Sequence, residues 1–137
     1  MGNQYFDRYQ DFKVDGGYKP LPFIKIEPKN SDKTVVYNAQ RTRLDKLSQL
    51  YYDNPYHGWL ILLANPTYGG VEENIPDKEI IRIPFPLTDS IQQYIKAVEN
   101  YKILKIFSVG LPIAALLLFM IIGLWSNLIF SESFLIK

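Results

Sequence analysis

The chain contains no cysteine, and its only histidine is His57. The missing thiols exclude disulfides, thiolate metal sites and a cysteine nucleophile. A lone histidine without cysteine partners supplies too few ligands for a zinc site. We therefore expect no metal and no cofactor. We also expect a protein made in a reducing cytoplasm, where disulfides are rare.

The chain also lacks an excess of one charge. Its 15 basic and 14 acidic side chains leave a net charge of +1, and the two signs alternate in stretches such as DRYQDFKVD. Phosphate recognition normally needs a concentrated basic patch, so we expect no nucleic-acid partner. The first residues, MGNQYFDRYQ, contain no apolar core, and we expect no cleaved secretion signal.

Aromatic residues are abundant, at 15% of the chain, and 10 of them are tyrosines. Tyrosine covers apolar area while keeping a polar tip, which is typical of contact surfaces. Several aromatics lie in the N-terminal arm, residues 1–33, where they either pack back on the domain or dock on a partner. The partner-contact candidates are Tyr5, Phe6, Tyr9, Phe12, Tyr18, Phe23 and Phe85.

The arm is interrupted by Gly16, Gly17 and Pro20, which predict an irregular course. Its last part, LPFIKIEP (21–28), alternates apolar and polar residues as a short strand does. The flanking prolines confine that stretch to a sheet edge or an extended arm.

Residues 34–87 predict a compact module of strand, helix, helix and strand. TVVY (34–37) and EIIRI (79–83) are rich in β-branched residues and predict its two strands. Between them, leucines recur at helical spacing from Leu44, with Thr42 as the expected cap. Asn54-Pro55 ends this helix, and Pro55 begins a second, apolar one that stops at Asn65-Pro66. The expected core residues are Leu44, Leu47, Leu50, Tyr51, Trp59, Leu62, Leu63, Ile81 and Ile83.

The remainder of the chain predicts two further helices and a short tail. Residues 88–105 place apolar side chains on one face of an amphipathic helix. Residues 106–131 carry no charge and exceed the roughly 20 residues that span a bilayer. This apolar helix either crosses a membrane or is buried in an assembly. If it crosses a membrane, Lys102 and Lys105 predict that the module lies on the cytoplasmic side. A shifted reading frame after Lys102 is a third explanation. Residues 132–137 form the tail.

These elements predict an α+β fold, and the module resembles the LysM family, in particular the LysM-like wedge proteins of phage tail baseplates. The resemblance rests on the leucines and tyrosines of the first helix, the Asn-Pro turn, the tryptophan that opens the second helix, Ala-Asn-Pro at its end, and the closing Arg-Ile-Pro. The matching residues are Leu44, Leu47, Ser48, Tyr51, Tyr52, Asn54, Pro55, Trp59, Ala64, Asn65, Pro66, Ile75, Pro76, Arg82, Ile83 and Pro84.

The resemblance implies a structural baseplate component that joins neighbouring tail subunits by protein–protein contacts. Its partners would be other tail proteins, in a multi-copy assembly within the virion, after synthesis in the host cytoplasm. An alternative is a membrane-anchored adaptor with a C-terminal transmembrane helix.

A second alternative that the resemblance implies is a module that binds peptidoglycan or other N-acetylglucosamine polymers. LysM-type modules bind sugar in a groove between the loop after the first strand and the loop before the last. The matching sugar-groove candidates are Gln40, Arg41, Asn65, Thr67, Tyr68, Gly69 and Gly70.

The sequence predicts no catalytic residue, and we expect a protein that is not an enzyme. His57 lies at a helix start, where a lone histidine is usually structural, and Ser48 has no base beside it in the sequence. Gly69-Gly70 lacks the spacing of a phosphate loop. The remaining carboxylates lie in loops or at strand edges, where charge is usually solvated: Asp53, Glu72, Glu73, Asp77 and Glu79.

Overall fold

The computed structural model describes residues 5–133. It contains helices and two small antiparallel sheets, so the α+β class predicted from the sequence is confirmed. The chain divides into two compact units between Ala97 and Val98.

The first unit contains the strand-helix-helix-strand module. Strand β3 (Lys33–Val36) pairs antiparallel with β4 (Ile80–Ile83), with Val35 opposite Ile81. Helices α1 (Leu44–Tyr52) and α2 (Gly58–Ala64) lie between the strands in sequence. The buried faces of α1, α2 and β4 form one core, which includes Leu47, Ile61 and Ile81.

Helix α1 begins without a local side-chain cap. Its N-cap residue is Arg43, whose side chain makes no capping bond. The Leu44 amide instead donates to Oε1 of Glu72 at 2.9 Å, so a distant carboxylate satisfies one of the free N–H groups of the first turn. The hydroxyl oxygen of Thr42 accepts from the Asn38 amide at 3.1 Å, and the predicted Thr42 cap is therefore wrong.

The Asn54-Pro55 turn connects α1 to α2 as the sequence predicts. Asp53 ends α1 in the left-handed region at φ 55°. The Asn54 side chain then accepts from the Tyr56 amide at 2.9 Å, and Pro55 starts a 3-10 turn, Pro55–His57, that leads into α2. Proline suits this position because its missing N–H would have no partner there.

Five of the nine predicted core residues are buried, three are partly buried and one is exposed. Leu44, Leu47, Leu63, Ile81 and Ile83 are buried. Leu50 is 74% exposed and is not a core residue. At about 100° per residue it lies roughly 120° around α1 from Leu44, whereas Tyr52 lies closer to that face and is buried in its place. Tyr51, Trp59 and Leu62 are partly buried.

The arm is more ordered than the breakers predict. Strands β1 (Lys13–Val14) and β2 (Gly17–Tyr18) form a small hairpin whose turn uses Gly16 at φ 88°. The Asp15-Gly16 pair is a known hairpin signal that the sequence analysis missed. Residues 21–28 follow without forming a sheet strand. Ile26 bonds its amide to the Leu63 carbonyl at 3.1 Å, at the end of α2, and so this stretch stays an extended arm.

Helix α3 spans Leu87–Ser133, where the sequence predicts two helices, 88–105 and 106–131. It bends by 41° between Leu87–Ser108 and Ile113–Ile129. No single straight helix within residues 5–133 is long and apolar enough to cross a bilayer. The two segments taken together are long and apolar enough. Most of the predicted tail, 132–137, lies outside the described residues.

Candidate functional site

One concave surface of the first unit is a cleft of about 530 Å³ between the arm and the α1–α2 corner. We call it the aromatic cleft, because Tyr9, Phe23, Tyr56 and Trp59 line it. Arg8, Asp45 and Glu72 add charge to its lining. A large apolar surface with a few charged groups at its edge is the usual composition of a binding site.

The arm positions two of these aromatic rings. The Tyr9 amide donates to a carboxylate oxygen of Asp7 at 3.0 Å, and the Tyr9 ring meets Tyr18 edge-on at 5.8 Å. Phe23 lies against Gly70, where a β-carbon would come within 3.3 Å of the Phe23 ring. Gly70 also has a φ of +78°, which L side chains rarely adopt, so glycine permits this close contact in two ways.

Ring contacts anchor the inner wall of the cleft, where Trp59 lies. Trp59 contacts Tyr94 at 4.9 Å and Phe6 at 6.2 Å between ring centroids. The Arg8 guanidinium lies 5.4 Å from the Trp59 ring and 4.7 Å from the Tyr9 ring, where cation–π attraction holds it. Aromatic packing of this kind fixes the position of the Trp59 ring in the wall of the cleft.

The aromatic residues of the arm differ in how exposed they are. Tyr5, Tyr9, Tyr18 and Phe23 are exposed, and their assignment as contact residues stays a prediction. Phe12 is buried at 6% exposure inside the arm, so it cannot meet a partner and that assignment is wrong.

Two further candidates pack within the protein instead of projecting from it. Phe6 meets Tyr94 edge-on at 6.0 Å as well as Trp59, and it is only partly exposed. Phe85 is partly buried, with the Lys33 ammonium 5.4 Å from its ring.

Tyr56 is the residue of this surface that the sequence analysis missed. The apolar pattern after Pro55 predicts that Tyr56 lies in the second helix, but it is 67% exposed in the 3-10 turn before α2. The signal was its place directly after Pro55, at a turn where side chains usually face solvent.

The structure does not bring the predicted sugar-groove residues together. A second cleft, of about 420 Å³, does lie between the loop after β3 and the loop before β4, but its lining includes Thr42, Arg43, Glu72 and Glu73. The predicted pair Gln40 and Arg41 is exposed outside both clefts. Gly69 and Gly70 line the aromatic cleft instead.

The other three sugar candidates have different roles. The side-chain nitrogen of Asn65 donates to the Ile61 and Arg82 carbonyls, and its side-chain oxygen accepts from the Arg82 amide. Tyr68 packs against the core, and burial together with the Glu79 carboxylate raises its pKa. Thr67 is exposed, in the short 3-10 turn Pro66–Tyr68.

Hydrogen bonds join the two loops that flank the second cleft. Glu72 Oε1 accepts from the Tyr37 hydroxyl at 3.1 Å and from the Leu44 amide, while the Ala39 amide donates to Asp77 at 3.0 Å. Burial, and then the adjacent Glu72 carboxylate, raise the pKa of Tyr37 to about 12. The phenol thus stays a donor at neutral pH, and the loops are held together.

His57 lies in the interior, away from both clefts. It is fully buried among the rings of Tyr5, Tyr52 and Trp59, and its ring nitrogens have no hydrogen-bond partner within residues 5–133. Burial lowers its pKa, so the ring is neutral at physiological pH. Ser48 supports this corner: its hydroxyl donates to the Asn54 carbonyl and accepts from the His57 amide at 3.0 Å.

Across the described residues, no group of three or more His, Asp and Glu side chains is arranged to hold a metal ion. Comparisons with protein-family models, with curated proteins and with solved structures find no match to this chain.

Proposed function

We propose that this chain is a structural component of a phage tail baseplate, in which the LysM-like module joins neighbouring tail subunits. The observation that carries the proposal is the aromatic cleft, which exposed aromatic rings line beside the packed Trp59 ring. Tyr9, Phe23 and Tyr56 are exposed, and Trp59 forms the inner wall. Large aromatic anchors supply most of the binding energy in protein interfaces.

The rigidity of the module favours an assembly role. Its two strands are paired, and its loops are tied by Glu72 and Asp77. A preorganised surface loses little conformational entropy when a partner docks, which strengthens association. The resemblance of the module to phage baseplate wedge proteins is the reason for proposing other tail proteins as the partners.

Sugar binding receives less support from the geometry. Asn65 is occupied by backbone partners, and Gln40 with Arg41 lies outside both clefts. The two flanking loops are joined by side-chain bonds from Glu72. A sugar that needed these loops apart would have to break those bonds.

A site-specific cross-linking experiment tests the proposal. A photoreactive phenylalanine analogue replaces Tyr56 in one variant and Leu50 in another, since both side chains are exposed and lie outside the core. Cells infected with the encoding phage are irradiated, tails are purified, and cross-linked peptides are identified by mass spectrometry. We expect a tail protein cross-linked to position 56 and much less to position 50.

Two results would contradict the proposal. One is a chain that is missing from purified tails. The other is a chain that sediments with insoluble peptidoglycan and loses that binding when Tyr68 is replaced by alanine. Melting curves of both photoreactive variants check that each one is folded.

A further inference from the structure

The second unit exposes apolar surface over most of its length. From Ile106 to Ser131 the sequence has no charged residue. Large apolar side chains in this stretch are more than half exposed, among them Ile113, Leu118, Phe119, Ile122 and Trp125. Water is a poor solvent for such a surface, so another apolar phase must cover it.

The exposed surface continues around the whole helix. Leu116, Leu117, Leu118 and Phe119 are consecutive, and each is between 57% and 78% exposed. Consecutive residues turn by about 100°, so these four side chains cover the circumference of α3. A helix that packs against one protein partner needs only an apolar stripe, whereas lipid requires apolar residues on every side.

Two serine hydroxyls of this stretch are bonded within the helix. The Ser108 hydroxyl donates to the Lys105 carbonyl at 2.9 Å, and the Ser126 hydroxyl donates to the Gly123 carbonyl at 2.9 Å. Helical backbone groups bond within the helix, which is a requirement inside hydrocarbon. Hydroxyls satisfied by their own helix are compatible with a lipid environment.

The bend and the ends of the stretch are compatible with a bilayer. The helix bends by 41° at a break that contains Gly110 and Pro112, and proline lacks the N–H that would continue the bonding. Such breaks are tolerated in membranes. Lys102 and Lys105 precede the stretch, while Trp125 lies near its other end, where interfacial tryptophans are common.

We propose that residues 106–131 insert into a lipid bilayer and anchor the chain there. The lysines at one end place the module on the cytoplasmic side of that membrane. The anchor does not depend on the proposed function, since it uses a different unit of the chain and a different partner. A second copy of this chain, or another protein that surrounds the helix, is the competing occupant.

The absence of cysteine allows a direct test of the environment. Leu118→Cys places one label in the middle of the stretch, and Leu50→Cys places the matched control on an exposed leucine of α1. The full chain, labelled with an environment-sensitive fluorophore, is reconstituted into vesicles of phosphatidylethanolamine and phosphatidylglycerol. A second preparation contains lipids that carry a nitroxide deep in the acyl chain.

The proposal predicts that the nitroxide lipids quench the label at position 118 several-fold more than the label at position 50. It also predicts that Leu118→Arg lowers the fraction of chain that floats with vesicles by roughly tenfold, while Leu50→Arg does not. A label at 118 that is shielded from water but not quenched would show burial in protein and overturn the proposal. So would a chain that stays soluble without lipid or detergent. No tail protein is present in this test, so its failure would leave the baseplate proposal standing.

Discussion

Asn65 and Arg82 exchange hydrogen bonds in both directions. The Arg82 amide donates to the Asn65 side-chain oxygen at 2.9 Å, and the Asn65 side-chain nitrogen donates to the Arg82 carbonyl at 2.7 Å. The same nitrogen donates to the Ile61 carbonyl at 2.7 Å, at the end of α2. One side chain thus pairs with the outer edge of β4 as a neighbouring strand would, and it fixes α2 against the sheet.

Replacing Asn65 by aspartate tests this arrangement. The carboxylate still accepts from the Arg82 amide, but it leaves two carbonyls without their donor and places negative charge beside them. We expect the free energy of unfolding to fall by about 2–4 kcal/mol in urea titrations at neutral pH. Asn74→Asp is the matched control, because Asn74 is exposed and makes one longer bond to Tyr68. Equal losses in the two variants would contradict the role given to Asn65.

The Arg82 side chain is a second point of attachment. Its guanidinium donates to the Ile26 carbonyl at 2.5 Å, to the Ala64 carbonyl at 2.6 Å and to the Asp32 carboxylate at 2.6 Å. Arg82→Lys keeps the charge but cannot reach all three acceptors. We expect a loss of about 2–4 kcal/mol in the free energy of unfolding.

Arg43→Lys provides the comparison for Arg82. Arg43 forms an exposed ion pair with Asp45 at 3.1 Å, and such pairs contribute at most about 1 kcal/mol. Chemical denaturation of both variants under identical conditions checks the difference. If Arg82→Lys were as mild as Arg43→Lys, the guanidinium would not hold the arm and α2 to β4.

His57 makes stability depend on pH near neutrality. Burial lowers its pKa in the folded state, so the unfolded chain binds more protons over the range between the two pKa values. Stability is therefore fully present above the unfolded pKa of about 6.5 and is lost as the pH falls below it. We expect the urea midpoint to decrease between about pH 7.5 and pH 5.5.

His57→Phe removes the titrating group and is expected to flatten that dependence. The two proteins are compared by how steeply the urea midpoint changes with pH. Their absolute stabilities are not compared, because the larger ring changes packing as well. His57 is the only histidine, so no other side chain with an ordinary pKa titrates in this interval. A slope that survives in the variant would refute the assignment.

Gly58, at the start of α2, lies close to Leu44 at the start of α1. A β-carbon there would lie 3.2 Å from Leu44 Cβ and 3.3 Å from the Leu44 backbone, which cannot move away without disturbing the start of α1. We expect Gly58→Ala to lower the free energy of unfolding by about 1–3 kcal/mol, and with it the melting temperature. The loss is expected although alanine has the better helix propensity. Gly17→Ala, with nothing within 4 Å, should be neutral or slightly stabilising. The reverse order would show that the contact is not tight.

Local patterns predicted the elements of the module because local rules determine them. The β-branched runs around Val35 and Ile81 became strands, and Asn54-Pro55 ended α1 as the sterics of proline require. The end of α2 likewise falls directly before Asn65-Pro66. These features depend on residues within a few positions of each other.

Features that join distant parts of the chain could not be predicted in the same way. The cap of α1 comes from Glu72, 28 residues away, and no sequence pattern marks it. The burial of Phe12 and the exposure of Tyr56 depend on how the arm folds against the module. Leu50 fits a three-residue spacing from Leu47, and only the geometry of the core shows that it faces solvent. The aromatic cleft arises from such long-range packing, so the sequence supplied its residues but not their arrangement.

The most direct test of the central claim is to locate the chain in infected cells. Purified virions and host membranes are separated, and mass spectrometry searches both for a module peptide, residues 34–41, and for a peptide from residues 106–137. The account predicts both peptides in virions, and the proposed bilayer insertion of residues 106–131 predicts a further pool of the chain in host membranes. Both peptides in membranes and neither in virions would contradict the baseplate assignment and favour a membrane-anchored adaptor.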